Sequence, residues 1–257
     1  MNFTAKIALV VGGTRGIGFD VSQKLIEAGC ICYITGRNED DGLTAQSRLG
    51  ENCTFIRSDV TDESSVIELF RLINDKHGRL DLAVNNAGVT SKHAPIRDMD
   101  FADWKRVLEI NLLGPLLLLK HETNLISKHA GGSIVNVSSC AGLLGVAKQS
   151  AYSTSKAALN MLTQVCAIEC AEEALPERHS IRVNAVCPGP TLGGMNSEER
   201  LKANPESTRH KLQVTAMKRF ANPGEISAAI LWLLSDASSF VTGTVMPVDG
   251  GFSAGKF

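Results

Sequence analysis

The chain has 257 residues, of which 44% are hydrophobic and 21% are charged, and its formal net charge is −1. A chain of this length can form one α/β domain whose core needs neither disulfides nor metals. The nearly balanced charge argues against a nucleic acid or a membrane surface as a partner.

Short apolar runs predict seven β-strands, at Ile7–Val11, Ile31–Thr35, Cys53–Arg57, Leu80–Val84, Ser133–Ser138, Ile181–Val186 and Thr244–Val248. Their apolar character is continuous rather than alternating, as in a parallel sheet buried on both faces. Helices are predicted between them, at Ile17–Ala28, Glu63–His77, Phe101–Lys128, Ala151–Glu173 and Pro223–Leu234. This alternation indicates βαβ units, and hence an α/β fold: a single doubly wound Rossmann-type domain over residues 1–257, with a mostly parallel seven-stranded sheet.

The segment 189–215 is the least regular part of the chain, being long, polar and charged. A long insert in a compact domain is usually a functional lid or a mobile loop. We expect it to cover a substrate.

Seven cysteines, an odd number without paired spacing, are expected to be reduced thiols of a cytoplasmic protein. Cys30 with Cys32 and Cys166 with Cys170 could bind a metal in principle, but no His or acidic cluster of zinc-site spacing accompanies them. We expect ordinary packing and no metal. The N-terminus lacks a signal-peptide pattern, and the densest apolar run, Leu112 to Leu119, is too short to span a membrane.

Three glycines, Gly12, Gly16 and Gly18, follow the first predicted strand and open the first predicted helix. In a βαβ unit this arrangement lets the backbone approach a dinucleotide pyrophosphate at the helix N-terminus. The spacing G-x-x-x-G-x-G makes a wider turn than the standard G-x-G-x-x-G.

The end of the second strand indicates which dinucleotide binds. An acid about 20 residues after the glycines would bind the ribose 2′-hydroxyl of NAD. Gly36 and then Arg37 stand there instead. Arg37 and Arg15 could hold a 2′-phosphate, since guanidinium is a planar, permanently charged fork. The sequence therefore favours NADP(H) over NAD(H).

Three further strings are NNAG at Asn85–Gly88, VNVSSCAG at Val135–Gly142 and AYSTSKAAL at Ala151–Leu159. With them, the chain from Lys6 to Gly251 resembles the short-chain dehydrogenase/reductase family. The resemblance extends to Asp59-Val60, to the EIN string ending at Asn111, to Pro188-Gly189 and to Thr242–Gly251. It implies an oxidoreductase with a catalytic centre of Asn111, Ser139, Tyr152 and Lys156. The implied cofactor contacts are Gly12, Thr14, Arg15, Gly16, Ile17, Gly18, Arg37, Asp59, Val60, Asn86, Ala87, Gly88, Tyr152, Lys156, Pro188, Gly189 and Thr191.

These residue types suit the reduction of a carbonyl by hydride. Tyr152 would act as the acid/base group, although an unperturbed tyrosine has a pKa near 10. Lys156 lies one helical turn later, and its charge, with that of an oxidised nicotinamide, is expected to lower the pKa of Tyr152. Ser139, preferred over Ser138 because its spacing matches the family, would hold the substrate oxygen. Asn111 would anchor a water that relays protons from Lys156.

The sequence departs from the family pattern at two places. Val11 stands where the family usually has Thr, and Gly193 stands where a Thr usually meets the nicotinamide carboxamide. Thr191 is expected to supply that contact. By resemblance the substrate pocket is lined by Ser91–Ala94, Cys140–Leu144, Lys148–Gln149 and parts of Pro190–Met217, with His93 and Lys148 as its first polar candidates.

The expected substrate is a small carbonyl or secondary alcohol, such as a hydroxysteroid, a sugar or a xenobiotic ketone. Reduction of 3-oxoacyl groups on an acidic carrier protein is an alternative, disfavoured by Glu169, Glu172 and Glu173 and partly supported by Lys128 and His129. An NAD-linked alcohol dehydrogenase and a non-catalytic dinucleotide sensor are further alternatives. A homodimer or homotetramer is expected by resemblance, with an apolar stripe available for it, made of Leu159, Leu162, Val165 and Cys166.

Overall fold

The computed structural model describes residues 1–126, 131–172 and 181–255. Three residues used above, Lys128, His129 and Glu173, lie outside the described residues. No helix in the described ranges is both long enough and apolar enough to cross a membrane.

Seven strands form one sheet in the order β3-β2-β1-β4-β5-β6-β7. They are β1 (Ile7–Val11), β2 (Ile31–Gly36), β3 (Cys53–Arg57), β4 (Leu82–Asn85), β5 (Gly132–Val137), β6 (Ile181–Pro188) and β7 (Val245–Val248). Every pair of neighbouring strands is parallel. The predicted doubly wound Rossmann-type fold is confirmed.

Helices cover both faces of the sheet. They are α1 (Gly16–Glu27), α2 (Glu39–Leu49), α3 (Glu63–His77), α4 (Phe101–Leu108), α5 (Gly114–Ile126), α6 (Ser150–Glu172), α7 (Glu198–Ala203), α8 (Pro205–Gln213) and α9 (Pro223–Leu234). Ile7, Leu9 and Val11 of β1 pack towards α3, α5 and α6, whereas Ala8 and Val10 pack towards α1, α2 and α9. This two-sided burial explains the continuous apolar runs.

The strand order reverses between β1 and β4. In an open α/β sheet, the crevice outside the carboxyl ends of the strands at this point is the usual binding place. The glycine turn after β1, the NNAG string after β4, the Ser138-Ser139 pair after β5 and Pro188-Gly189 at the end of β6 all meet at this edge.

One local prediction was wrong: the single helix predicted at Phe101–Lys128 is interrupted by a π-helical turn at Glu109–Leu113 that separates α4 from α5. Helix α2 was not predicted. The segment 189–215, the least regular part of the sequence, contains two short helices, α7 and α8.

The cysteines are all buried thiols in the described chain, and ordinary packing accounts for Cys30, Cys32, Cys166 and Cys170. No group of three His, Cys, Asp or Glu side chains among the described residues could hold a metal ion.

Candidate active site

The glycine turn is closed against the strands beside it. Gly12 and Gly13 both donate to Thr35 O, at 3.0 and 3.2 Å. Gly12 has φ of +76°, and a Cβ there would lie 2.9 Å from Ala87 N. A Cβ on Gly18 would collide with Gly12 O and lie 2.6 Å from Asn86 Nδ2. Side chains are therefore excluded at Gly12 and Gly18, where the chain needs a close approach of backbone to backbone.

The first turn of α1 fits a phosphate. Arg15 occupies the N-cap position in an extended conformation, and its side chain makes no capping hydrogen bond. The first turn contains no acidic residue, and Gly16 leaves open backbone there at φ of +58°. Uncapped N–H groups and the helix dipole together favour an anion at this position. The residues present thus fit the pyrophosphate of a dinucleotide.

A cavity of about 290 Å³ lies at the far end of the same crevice, where β2 and β3 end. Arg37, Arg57 and Ser58 line it together with Asp59 and Asp62. The two carboxylates are engaged locally, since Asp59 accepts from Thr61 N and Oγ1 and Asp62 caps α3 by accepting from Ser64. The cavity therefore carries two guanidinium groups beside two carboxylates, and the carboxylates make hydrogen bonds within their own loop.

Arg57 was not among the predicted cofactor residues. Its position at the cavity follows from the parallel register of the sheet, which pairs Arg57 with Gly36 at the ends of β3 and β2. Arg57 Nε donates to Arg37 O at 3.2 Å, so its side chain lies across the loop that carries Arg37. A basic residue ending the strand beside the missing acid was the available signal.

Helix α6 and the π-helical turn bring the predicted catalytic side chains together. Lys156 is buried, and its Nζ donates to Val137 O at 2.8 Å. A Cβ built on Gly88 would lie 3.3 Å from Asn111 Oδ1 and 3.4 Å from Lys156 Nζ, so these polar atoms converge on the NNAG loop. Tyr152 lies one turn earlier on α6 and interacts with the Ser139 hydroxyl.

Asn111 holds the loop that follows β4. Its Oδ1 accepts from Val89 N at 2.8 Å, and its Nδ2 donates to Val89 O at 2.8 Å and to Ser155 Oγ at 3.1 Å. The Asn111 side chain thus ties this loop to α6 with three hydrogen bonds, and its Oδ1 keeps a second acceptor site. π-Helical turns inside α-helices are frequent at functional sites.

The two adjacent serines have different surroundings. Ser138 Oγ donates to Lys156 O at 3.1 Å and fastens β5 to α6. Ser139 Oγ accepts from Ala141 N at 3.2 Å and interacts with Tyr152. Only Ser139 has its hydroxyl beside the tyrosine, in agreement with the preference drawn from its spacing.

Burial shifts the two titrating groups of this cluster in opposite ways. It raises the pKa of Tyr152 to about 12, while the Ser139 hydroxyl acts in the lowering direction. It also lowers the pKa of Lys156 to about 8, because desolvation disfavours the ammonium form. The lowering expected from Lys156 together with an oxidised nicotinamide concerns the cofactor complex, whereas in the chain alone desolvation is the largest effect on the pKa of Tyr152. At neutral pH Tyr152 keeps its proton.

The beginning of segment 189–215 lies on the glycine turn. A Cβ on Gly16 would be 3.5 Å from Gly194 N, and one on Gly193 would be 3.8 Å from Gly16 Cα. Gly193 and Gly194 both have positive φ, of +78° and +51°. Where the family usually has Thr, this chain thus has Gly193 in a backbone turn that approaches the backbone of Gly16. Thr191 Oγ1 donates to Gly189 O at 3.0 Å and is engaged locally.

A family model described as Enoyl-(Acyl carrier protein) reductase matches residues 11–253. The solved structure of a short-chain type dehydrogenase/reductase from Mycobacterium ulcerans has a TM-score of 0.91 and 30% identity, covering 99% of this chain and 92% of that one. The chain belongs to the short-chain dehydrogenase/reductase family.

Two relatives indicate what members of this family with similar sequences do. The cis-4-hydroxycyclohexanecarboxylate dehydrogenase of Sinomonas cyclohexanicum is 38% identical, with 98% of each chain covered. The cyclopentanol dehydrogenase of Comamonas sp. (strain NCIMB 9872) is 36% identical, with 97% of each chain covered. This short-chain dehydrogenase/reductase is an oxidoreductase of CH–OH or C=O groups, and its family uses a nicotinamide cofactor.

The edge of the sheet in this short-chain dehydrogenase/reductase carries the predicted cofactor contacts at 12–18, 86–88 and 188–191, with Arg37 and Asp59. Val60 differs, because its side chain is buried in the core and lies 2.7 Å from where a Cβ on Gly114 would stand. Its side chain therefore faces α5 instead of the crevice.

Proposed function

We propose that this short-chain dehydrogenase/reductase transfers hydride between NADP(H) and a secondary alcohol or ketone carried on a small ring. The observation that carries the proposal is the grouping of Asn111 and Lys156 at the NNAG loop, with Ser139 beside Tyr152 one turn earlier on α6. The names of the two relatives, which act on cyclohexane and cyclopentane alcohols, support the ring.

The bound dinucleotide supplies or accepts the hydride. In the reducing direction the Ser139 hydroxyl donates to the carbonyl oxygen and holds it beside Tyr152. The Tyr152 hydroxyl gives its proton to the oxygen as negative charge develops there. Because the Tyr152 pKa is raised to about 12, the phenol is available as an acid at neutral pH. Lys156, whose ammonium group is held by Val137 O, then gives a proton to Tyr152 to replace the one that Tyr152 has lost.

The preference for NADP(H) rests on Arg37 and Arg57 at the cavity after β2 and β3, with Arg15 at the start of α1. Gly36 supports it as well, since an acid at this position would bring a Cβ to 3.0 Å from Thr14 Cγ2. We assign the predicted cofactor residues, except the Val60 side chain, to dinucleotide binding, with the nicotinamide end at Tyr152, Lys156 and Pro188–Thr191.

We also propose that residues 1–257 form one domain with 189–215 as the substrate lid, that the protein is a homodimer or homotetramer, and that it works in the cytoplasm. The single sheet supports one domain, and the contact of Gly194 with Gly16 supports the lid. Seven buried thiols are compatible with a reducing compartment.

The test is oxidation of NADPH and NADH at 340 nm against cyclic ketones, diketones and 3-oxoacyl thioesters, with Tyr152→Phe as the matched variant. We expect turnover of ring ketones with NADPH and a loss of at least about a hundredfold in the variant, whose NADPH affinity stays unchanged. Preferred turnover of the thioesters would instead assign the carrier-protein reaction. NADPH binding without turnover of any compound would assign a dinucleotide sensor.

A further inference from the structure

Three basic side chains lie near one another among the residues expected to line the substrate pocket. Lys211 is on α8, Lys148 precedes α6 by two residues, and His93 is in the loop after β4. Ala94 N donates to Lys148 O at 3.1 Å, which fastens the His93 loop to the approach to α6. The cluster is therefore formed by three segments that only the tertiary structure brings together.

Lys211 is the best-positioned member of this cluster. It is half-buried, and its Nζ donates to Asn196 Oδ1 at 2.7 Å. Asn196 Nδ2 in turn donates to Thr191 O at 2.9 Å. This chain of hydrogen bonds directs the ammonium group of α8 back to the end of β6, next to the proposed nicotinamide position.

The cluster lacks a compensating negative charge within the described residues. Lys211 and Lys148 form no ion pair there, in contrast to Lys202 on α7, which pairs with Glu198 at 2.6 Å. Burial lowers the pKa of Lys211, and the pKa of His93 is lowered by burial and then by the charges of Lys211 and Lys148.

A half-buried ammonium whose one side-chain partner is a neutral amide keeps N–H donors for an anionic ligand, which would offset the cost of its partial burial. Lys148 lies two residues before α6, which carries Tyr152 in its first turn, so a short stretch of chain separates the cluster from the proposed reacting position. A substrate that spans this distance has its carbonyl or hydroxyl at one end and an anion at the other.

We propose that Lys211, Lys148 and His93 form a subsite for a carboxylate of the substrate, so that the substrate class is an alicyclic hydroxy acid or oxo acid. This proposal rests on the oxidoreductase function proposed above. Lys211 binds the carboxylate directly, and Asn196 orients the ammonium group towards it.

The experiment compares two ketones with one ring and different charge, 4-oxocyclohexanecarboxylate and its methyl ester, in the NADPH-saturated enzyme. The variants are Lys211→Met, which keeps the length of the side chain, and Lys202→Met, which removes the same charge from the neighbouring helix. We expect Lys211→Met to lower kcat/KM for the carboxylate by roughly tenfold to a hundredfold, as for loss of one charged hydrogen bond. In this variant kcat/KM for the ester should change by less than about twofold, and Lys202→Met should leave kcat/KM unchanged for both ketones.

Equal kcat/KM for the carboxylate and the ester in the unmodified protein would overturn the subsite while leaving the oxidoreductase function intact. An equal loss for both ketones in Lys211→Met would overturn it as well, since it would mean damage to the segment.

A binding measurement keeps the test open if neither ketone is reduced, an outcome that counts against the proposed function. Calorimetric titration with cyclohexanecarboxylate and cyclohexanecarboxamide in the presence of NADP⁺ reports on the subsite alone. Tighter binding of the carboxylate, weakened by Lys211→Met, would support the subsite. Equal binding of the two compounds would overturn it.

Discussion

Arg37 and Arg57 meet at the cavity after β2 and β3 because parallel pairing puts the ends of these strands side by side. The sequence allowed the prediction of Arg37, which directly follows the position of the missing acid. Arg57 had a weaker signal, as the basic residue that ends the third predicted strand, because its place beside Gly36 depends on strand register and not on spacing along the chain. Lys211 was not predicted individually for a similar reason, since α8 is far from His93 and Lys148 in sequence.

Replacing both arginines tests the cofactor preference at the residue scale. Arg37→Ala with Arg57→Ala is expected to raise KM for NADPH by roughly tenfold or more, because charged hydrogen bonds to the 2′-phosphate are lost. KM for NADH should stay nearly unchanged. Steady-state kinetics with both cofactors measures this, and Arg71→Ala, an exposed arginine on α3 paired with Glu68 and Asp75, is the control. An unchanged NADPH/NADH ratio would show that the two side chains do not bind the phosphate.

At the scale of elements, the pattern of apolar runs sufficed for the strands and for most of the long helices. Helix α2 was missed because Gly42 stands in a polar stretch, yet a Cβ there would collide with the Phe55 ring, so packing requires the glycine. The start of α2 could have been predicted from Asn38, which caps the helix, and from the acidic residues that follow it. The π-helical turn at Asn111 left no such signal, because the apolar pattern runs through it from α4 into α5.

The approach of α1 to the end of β1 gives a prediction at this scale. Gly18→Ala places a Cβ against Gly12 O, so we expect a loss of about 1–3 kcal/mol of folding free energy, as for other overpacked sites. Dinucleotide affinity should fall in parallel as the turn is displaced. Thermal unfolding and fluorescence titration with NADPH measure the two effects. Gly145→Ala is the matched control, since a Cβ there meets nothing within 4 Å. Equal melting temperatures for both variants would contradict the close packing.

At the scale of the whole molecule, large apolar side chains are exposed on the π-helical turn, α5 and α6: Leu113, Leu116, Met161, Val165 and Ile168. Met161, Val165 and Ile168 recur at helical spacing, so they form one stripe along α6. The stripe predicted from the sequence is explained in part by ordinary core packing: Leu159 and Cys166 are buried in the core, and only Val165 of that set is substantially exposed. Exposed apolar patches on globular proteins often mark association surfaces.

The proposed oligomer is tested through this surface. Ile168→Asp is expected to convert the oligomer into the 27.5 kDa monomer, because association would bury the new carboxylate without a partner. Light scattering during size-exclusion chromatography gives the mass. Ile67→Asp changes the same residue type at an exposed position on α3 and should leave the assembly intact. An unmodified protein that elutes at the monomer mass would remove the basis of the proposal.

The segment that begins after β6 touches the glycine turn at Gly194 and carries Lys211 further along. A dinucleotide that stabilises the contact of this segment with the glycine turn therefore also stabilises the position of Lys211, and an acid bound at Lys211 stabilises the contact with the glycine turn. Thermodynamic linkage then makes the effect reciprocal: the factor by which the dinucleotide strengthens binding of the acid equals the factor by which the acid strengthens binding of the dinucleotide. One stretch of chain would thus make the two affinities depend on each other, although the two ligands occupy separate ends of it.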